Sequence, residues 1–320
     1  MSIEAIISRT IFTLEDWRQY FADRSPAEQF CQMLIPLFTY IFNIFEQIPK
    51  NNLNIDFKKM IADELIKQFS PIISPICIME MHSLRDRNIL LGKSSEERFQ
   101  DFIGIISIPE HALSLIKKYS KLGDLIWGIA QQYINNISTI IARFQRDQLL
   151  ISNKFFERKF LYLTKIKSLG DRHRQGQSVS LLELNDVHNN EKYSLIYKPR
   201  PLQSDSAYYQ FIQWLNLKCQ CQHFIPQFIN KNKYGWYQFI DYRGCHSPEG
   251  INRFYYRLGS LLAICYLLLG YDIHMENVIA HGEFPVIIDL ECLLRPHLAD
   301  EKTQYFQPYF SVSDTLIVNG

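Results

Sequence analysis

Apolar positions in the first half of the chain recur every three or four residues. Phe30, Leu34, Phe38, Phe42 and Phe45 form one such stripe within residues 26–47, the spacing of a helix that buries one face. Pro36 falls inside that span and is expected to kink or divide it, because proline lacks the N–H and crowds the preceding turn. The same texture predicts helices near 57–69, 96–107, 110–119 and 123–148, with Ser94 and Ser95 as caps before Glu96 and Glu97. Near residue 160 the period shortens. Residues 178–184 and 193–197 read as strands joined by the turn-prone stretch 185–190. A helix over about 206–217 follows, then a hairpin of residues 223–229 and 234–241 around Lys231-Asn232-Lys233. A strongly apolar helix over 252–269 comes last.

Composition narrows the class. The chain has 320 residues, 47% hydrophobic and 21% charged, so it is long enough for two domains or one large one, and disorder is not expected. Thirty-four basic residues nearly cancel thirty-three acidic ones, which argues against nucleic acid or an anionic membrane as the main partner. The N-terminus carries neither the basic nor the apolar region of a signal peptide, and the apolar run at 258–271 is too short to cross a bilayer. Seven cysteines, an odd number, read as free thiols of a cytoplasmic protein. Cys219 and Cys221 have the look of half a metal site, but with no second pair at zinc-type spacing they are expected to be core thiols.

The chemistry concentrates after the last helix. Asp272 is followed five residues later by Asn277, and a second aspartate, Asp289, ends the apolar run Val286-Ile287-Ile288. This is the order of a kinase catalytic base, an Asn for Mg²⁺ and a second Mg²⁺ ligand, the latter two brought together by a short hairpin around Gly282. Asp289-Leu290-Glu291 replaces Asp-Phe-Gly, so the reading is kinase-like. Lys198, at the end of the predicted strand 193–197, fits a phosphate-binding lysine. Upstream, Gly170 and Gly176 bracket a cationic turn with Arg172, His173 and Arg174, where glycine permits close backbone approach to phosphate. One kinase part is missing: the predicted helix after Lys198 holds no acid to pair with it, and Asp171 and Asp205 are the candidates. His274 and Glu291 flank the aspartates. With them a metal-dependent hydrolase is a competing reading, though it leaves Lys198 and the glycine turn unexplained.

The combined pattern resembles the dehydratase domain of class II lanthipeptide synthetases, the LanM enzymes. The matching stretches are Gly170-Asp171-Arg172-His173 with Gly176 and Val179, Tyr197-Lys198-Pro199-Arg200, Tyr234-Gly235-Trp236 with Phe239-Ile240, and Tyr255-Tyr256-Arg257-Leu258-Gly259. Asp272-Ile273-His274-Met275-Glu276-Asn277, Ile288-Asp289-Leu290-Glu291 and Ser94-Ser95-Glu96-Glu97-Arg98-Phe99 complete the set. The resemblance implies a lipid-kinase-like core that phosphorylates Ser and Thr of a ribosomal precursor peptide, a leader with a Ser/Thr-rich core, using ATP and Mg²⁺. The same site then eliminates phosphate to leave dehydroamino acids. It implies Lys198 with Gly170 and Gly176 for the nucleotide, and Asp272 as the base. Asn277 and Asp289 would hold Mg²⁺, with Glu291 and His274 supporting that site, and Asp171 and His173 would serve elimination.

The expected fold is therefore α+β. It comprises a helical N-terminal region (1–160), a kinase-like small lobe of mostly antiparallel sheet (161–250), and the start of a helical large lobe (251–320). The LanM class continues far past its Asp-Leu-Glu motif, whereas 31 residues follow Asp289 here. The resemblance thus leads to the expectation of a truncated, split or short form. A second polypeptide would supply the rest of the large lobe and a cyclase, and the helix at 252–269 would be left uncovered in the isolated chain. The alternative is an inactive, pseudokinase-like peptide-binding platform.

Overall fold

The computed structural model describes residues 2–10, 15–119, 121–173, 176–219, 221–270, 273–291 and 293, with the main chain alone at 171–173. The chain divides into two compact units, Met1–Ser194 and Leu195–Gly320.

The first unit is built on helices α1 (Ile3–Arg9), α2 (Glu15–Arg18), α3 (Pro26–Gln29), α4 (Ile35–Glu46), α5 (Phe57–Asp86), α6 (Ser95–Ile106), α7 (Pro109–Lys118) and α8 (Leu122–Phe155). The stripe predicted over 26–47 is divided, as Pro36 requires. Ser25 and Glu28 close a capping box on α3, a 3-10 segment runs through Phe30–Leu34, and α4 begins with Pro36 in its first turn, where no N–H is needed. Ser94 likewise caps α6 in a box with Glu97.

Helix α5 runs seventeen residues past the expected end, straight through Pro71 and Pro75. Each proline costs about 3 kcal/mol in a helix interior. The continuous buried edge of Leu65, Ile66, Phe69, Ile73 and Cys77 offsets this, since a fully buried large side chain contributes roughly 1.5–3 kcal/mol. The core of this unit is aromatic. Phe38 stacks on Phe69 at 6.2 Å, and Trp17 donates its indole N–H to Thr39 Oγ1 at 2.9 Å. Strands β1 (Leu161–His173) and β2 (Gln177–Asp186) form an antiparallel hairpin, from Leu161 opposite Asp186 to His173 opposite Gln177.

Strand β3 (Lys192–Lys198) contains the division between the units. The second unit continues with α9 (Gln203–Lys218), β4 (Phe228–Asn230), β5 (Gly235–Gln238), α10 (Pro248–Leu267) and the hairpin β6 (Val278–His281) and β7 (Phe284–Ile287). Among the described residues, five strands lie in the order β1-β2-β3-β5-β4, with β1–β2, β3–β5 and β4–β5 paired antiparallel. Helix and antiparallel sheet together make the chain α+β. Asn232, at φ +63, turns the β4–β5 hairpin, with Lys231 N–H donating to Tyr234 O at 2.9 Å.

The core of the second unit gathers Leu202, Tyr209, Tyr237, Leu261, Ile287 and Leu290. Helix α10 has two faces. Leu261, Ile264 and Cys265 are buried, while Tyr255, Tyr256, Tyr266 and Leu267 remain exposed. Contrary to expectation, Cys219 and Cys221 are not core thiols. Cys219 is exposed and Cys221 half-buried, accepting from Ser260 Oγ at 3.5 Å, because α9 ends at Lys218 and the chain passes to the surface. The buried thiols among the described residues are Cys31, Cys77 and Cys265. No described helix is long and apolar enough to cross a membrane.

Candidate functional site

Lys198 ends β3 directly opposite Gly235 of β5. Its side chain is almost wholly buried, and an ammonium in such a place must be compensated. Nζ donates to Ile288 O at 2.7 Å and to Asp205 Oδ1 at 3.3 Å, and lies 4.2 Å from the centre of the Tyr237 ring. Burial pulls the ammonium below its ordinary pKa, opposed first by the Asp205 carboxylate.

Asp205 therefore answers the question of the missing acid. Helix α9 begins at Gln203, three residues earlier than its apolar pattern indicates, so Asp205 sits in its first turn. The helix after the lysine does donate the pairing acid, as in a kinase, although as Asp rather than Glu. Asp205 is fully buried, and its second oxygen accepts from Arg200 Nη1 at 2.6 Å.

Arg200 extends the cluster outward. Its Nη2 lies 3.4 Å from Asp289 Oδ1 and its Nε 2.5 Å from Glu291 Oε1. Burial works against the guanidinium, but Asp205, Glu291 and Asp289 outweigh it and hold its pKa above the ordinary value. Arg200 entered the sequence reading only as part of a motif. The signal that marks it is its place two residues beyond Lys198, with an acid five residues on. Tyr237, under the ammonium, had no sequence signal of its own.

The hairpin places the next residues. Gly282 turns it at φ +61, Val278 pairs with Ile287, and Ile288 N–H donates to Asn277 O at 2.9 Å. Asn277 and Asp289 are thereby brought to the same end of the hairpin, as their spacing predicts. Tyr209 O–H fixes that end by donating to Ile287 O at 3.1 Å. Asn277 closes the short 3-10 turn Met275–Asn277, in which His274 Nδ1 accepts from Glu276 N–H at 3.3 Å and His274 Nε2 lies 3.3 Å from the Asn277 amide. Asp289 and Glu291 are linked by Glu291 N–H donating to Asp289 Oδ1 at 3.2 Å. Asp272 lies outside the described residues.

The glycine turn belongs to the first unit. Gly170 and Gly176 both adopt positive φ, +65° and +74°, which explains glycine at each. No heavy atom would meet a Cβ on Gly170, whereas one on Gly176 would fall 2.3 Å from Gln132 Oε1 of α8, and Asn136 Nδ2 donates to Gly176 O at 2.7 Å. Asp171 and His173 are described through their main chain alone.

The second-unit cluster offers exposed oxygen ligands at Asp289 and Glu291, which suit a hard divalent cation. Behind them stand two cations, which suit phosphate. Among the described residues no three His, Cys, Asp or Glu side chains converge as a protein-only metal centre would need.

Residues 119–317 match the family described as a domain of unknown function, DUF4135. The chain is also 28% identical over 270 residues to the lacticin 481/lactococcin biosynthesis protein LcnDR2 of Lactococcus lactis subsp. lactis, an alignment covering 80% of this chain and 28% of that protein. The chain thus corresponds to less than a third of that relative's length. With more than half of its residues inside the family match, the chain belongs to the DUF4135 family and is LanM-like in sequence.

Proposed function

We propose that the chain acts in lanthipeptide biosynthesis, as the nucleotide-binding and phosphoryl-transfer part of a Ser/Thr dehydratase. The observation that carries this is the buried Lys198–Asp205 pair held against the main chain one residue before Asp289, an arrangement that serves a kinase for ATP phosphates and metal. ATP and Mg²⁺ would supply the transferable phosphoryl group and neutralise its charge. Lys198 would hold the nucleotide phosphates, and the resemblance assigns Gly170 and Gly176 to the nucleotide as well. Asn277, Asp289 and Glu291 would present oxygen to the metal. Asp272 would take the proton of a peptide Ser or Thr hydroxyl, and His274, beside the Asn277 amide, would support the metal site. Asp171 and His173 would serve the second step, in which the α-proton and the phosphate leave and a Cα=Cβ double bond forms. The similarity to a lacticin 481/lactococcin biosynthesis protein supports a precursor peptide as the substrate.

A second reading, a peptide-binding platform without catalysis, draws on the same cluster, since Asp289 is already ion-paired and the Lys198 ammonium is engaged in burial. Calorimetry with ATP and Mg²⁺ separates the two. Binding in the folded wild type that is lost in Asp289→Asn and Lys198→Ala supports the nucleotide site, and its absence favours the platform. Mass spectrometry of a precursor peptide then tests the chemistry. The sequence of events expected is gain of one phosphate followed by net loss of one water.

A further inference from the structure

Arg200 is anchored from behind. The fully buried Asp205 accepts from its Nη1 at 2.6 Å, and Pro201 O accepts from the same nitrogen at 3.1 Å. These contacts do not involve the outer carboxylates. Its Nη2 and Nε are left facing Asp289 and Glu291, which are 42% and 57% exposed against 17% for the arginine. A guanidinium fork suits this task because it spans separate carboxylates in a fixed plane.

We propose that Arg200 is a resident counter-cation for Asp289 and Glu291, occupying the ligand oxygens that a divalent cation would take and thereby weakening cation binding in the absence of nucleotide. The inference rests on the cation site of the proposed function. Lys198 and Arg200 set two positive charges against the three negative charges of Asp205, Asp289 and Glu291. The cluster is therefore only weakly attractive to a further cation. Removing Arg200 alone would double its net negative charge without touching a carboxylate. At the partly exposed outer side, where solvent screens strongly, that change is worth on the order of tenfold in divalent affinity. A bound nucleotide brings phosphates that can take over the guanidinium, freeing the carboxylates at the moment the metal is needed.

The test is a titration of the full chain with Mn²⁺ as the probe, without nucleotide, with free Mn²⁺ followed by electron paramagnetic resonance. Arg200→Gln should bind on the order of tenfold more tightly than wild type, Arg200→Lys should gain less, and Asp289→Asn in the Arg200→Gln background should remove the gain. Unchanged or weaker binding by a folded Arg200→Gln protein, with wild-type binding still abolished by Asp289→Asn, overturns the counter-cation role and leaves the cation site standing. No Mn²⁺ binding by any variant overturns both. Should Arg200→Gln fail to fold, side-chain ¹⁵N resonances of the wild type decide. Mg²⁺ should shift the Arg200 Nε signal, and a signal that stays fixed while the cation binds overturns the proposal.

Discussion

Asp205 Oδ1 lies 3.3 Å from the Nζ of Lys198, and both side chains are shut away from water. The same carboxylate holds Arg200 through its other oxygen. Removing one partner of a buried ion pair leaves the other charge uncompensated, which typically costs 3–5 kcal/mol. Asp205→Ala is therefore expected to lose about 3–5 kcal/mol in urea unfolding. Asp205→Asn, which keeps the shape and one acceptor, should lose less. An alanine variant within about 1 kcal/mol of wild type would show that the pair contributes little beyond the ordinary loss at a point mutation.

Gly235 faces Lys198 across the β3–β5 ladder for a reason of space. A Cβ there would come within 2.1 Å of Leu202 Cδ1 and 2.8 Å of Ile229 O. The leucine is fully buried and the carbonyl belongs to the neighbouring strand, so neither has free room to withdraw. Gly235→Ala should destabilise by roughly 1–3 kcal/mol, the range for overpacking, and weaken the nucleotide binding proposed for Lys198 as Leu202 pushes on the strand end. Thermal melts alongside calorimetry read both effects.

Helix α10 offers a paired test of its two faces. Leu261 is 4% exposed and Leu267 72%. Leu261→Ala is expected to cost about 2–5 kcal/mol, while Leu267→Ala should stay within about 0.5 kcal/mol. Equal losses would mean that the outer face is covered in solution.

The buried thiols Cys31, Cys77 and Cys265 set an alkaline limit, because burial raises the pKa of all three. Burial pushes Cys77 and Cys265 up to about 12 from 9.0, with Glu80 adding to the shift at Cys77. A raised folded-state pKa means that the native protein keeps a proton the unfolded chain has lost. The stability each contributes is whole below about pH 9 and falls away as pH rises towards 12. Urea midpoints should decline over that window and recover partly in Cys265→Ala once its cavity cost at pH 7 is subtracted. At pH 8 a thiol reagent should label the exposed Cys219 rapidly and reach Cys77 and Cys265 only on unfolding.

The sequence was most legible where one physical signal acts alone. Helical spacing located α6 and α7 within a residue or two, and the interval from Asn277 to Asp289 indicated the hairpin that joins them. It was least legible where tertiary packing outweighs a local rule. Pro71 and Pro75 argue for a stop that the buried edge of α5 overrides. Strand β2 turns Ser178, Ser180 and Asp186 inward and Val179 and Leu181 towards the less buried side, so its alternation is blurred although its position was readable. Asp205 was visible as a candidate but placed outside the helix, because α9 starts with Gln203-Ser204-Asp205, residues that local propensity assigns to a turn. Arg200 was overlooked because its importance comes from three acids, two of which lie about ninety residues away.

The second acceptor of Lys198 is a peptide oxygen, and this has a mechanical meaning. A side-chain partner can be exchanged by mutation, but the carbonyl of Ile288 is supplied by whatever residue stands at that position. The link can be moved but not substituted away. At 2.7 Å it tolerates well under an ångström of stretch before it leaves hydrogen-bonding range. Any displacement of the hairpin end that carries Asp289 is therefore felt at once by the ammonium on β3, and any pull on the ammonium is returned to the aspartate. The two groups work like meshed gears, with the main chain as the tooth between them.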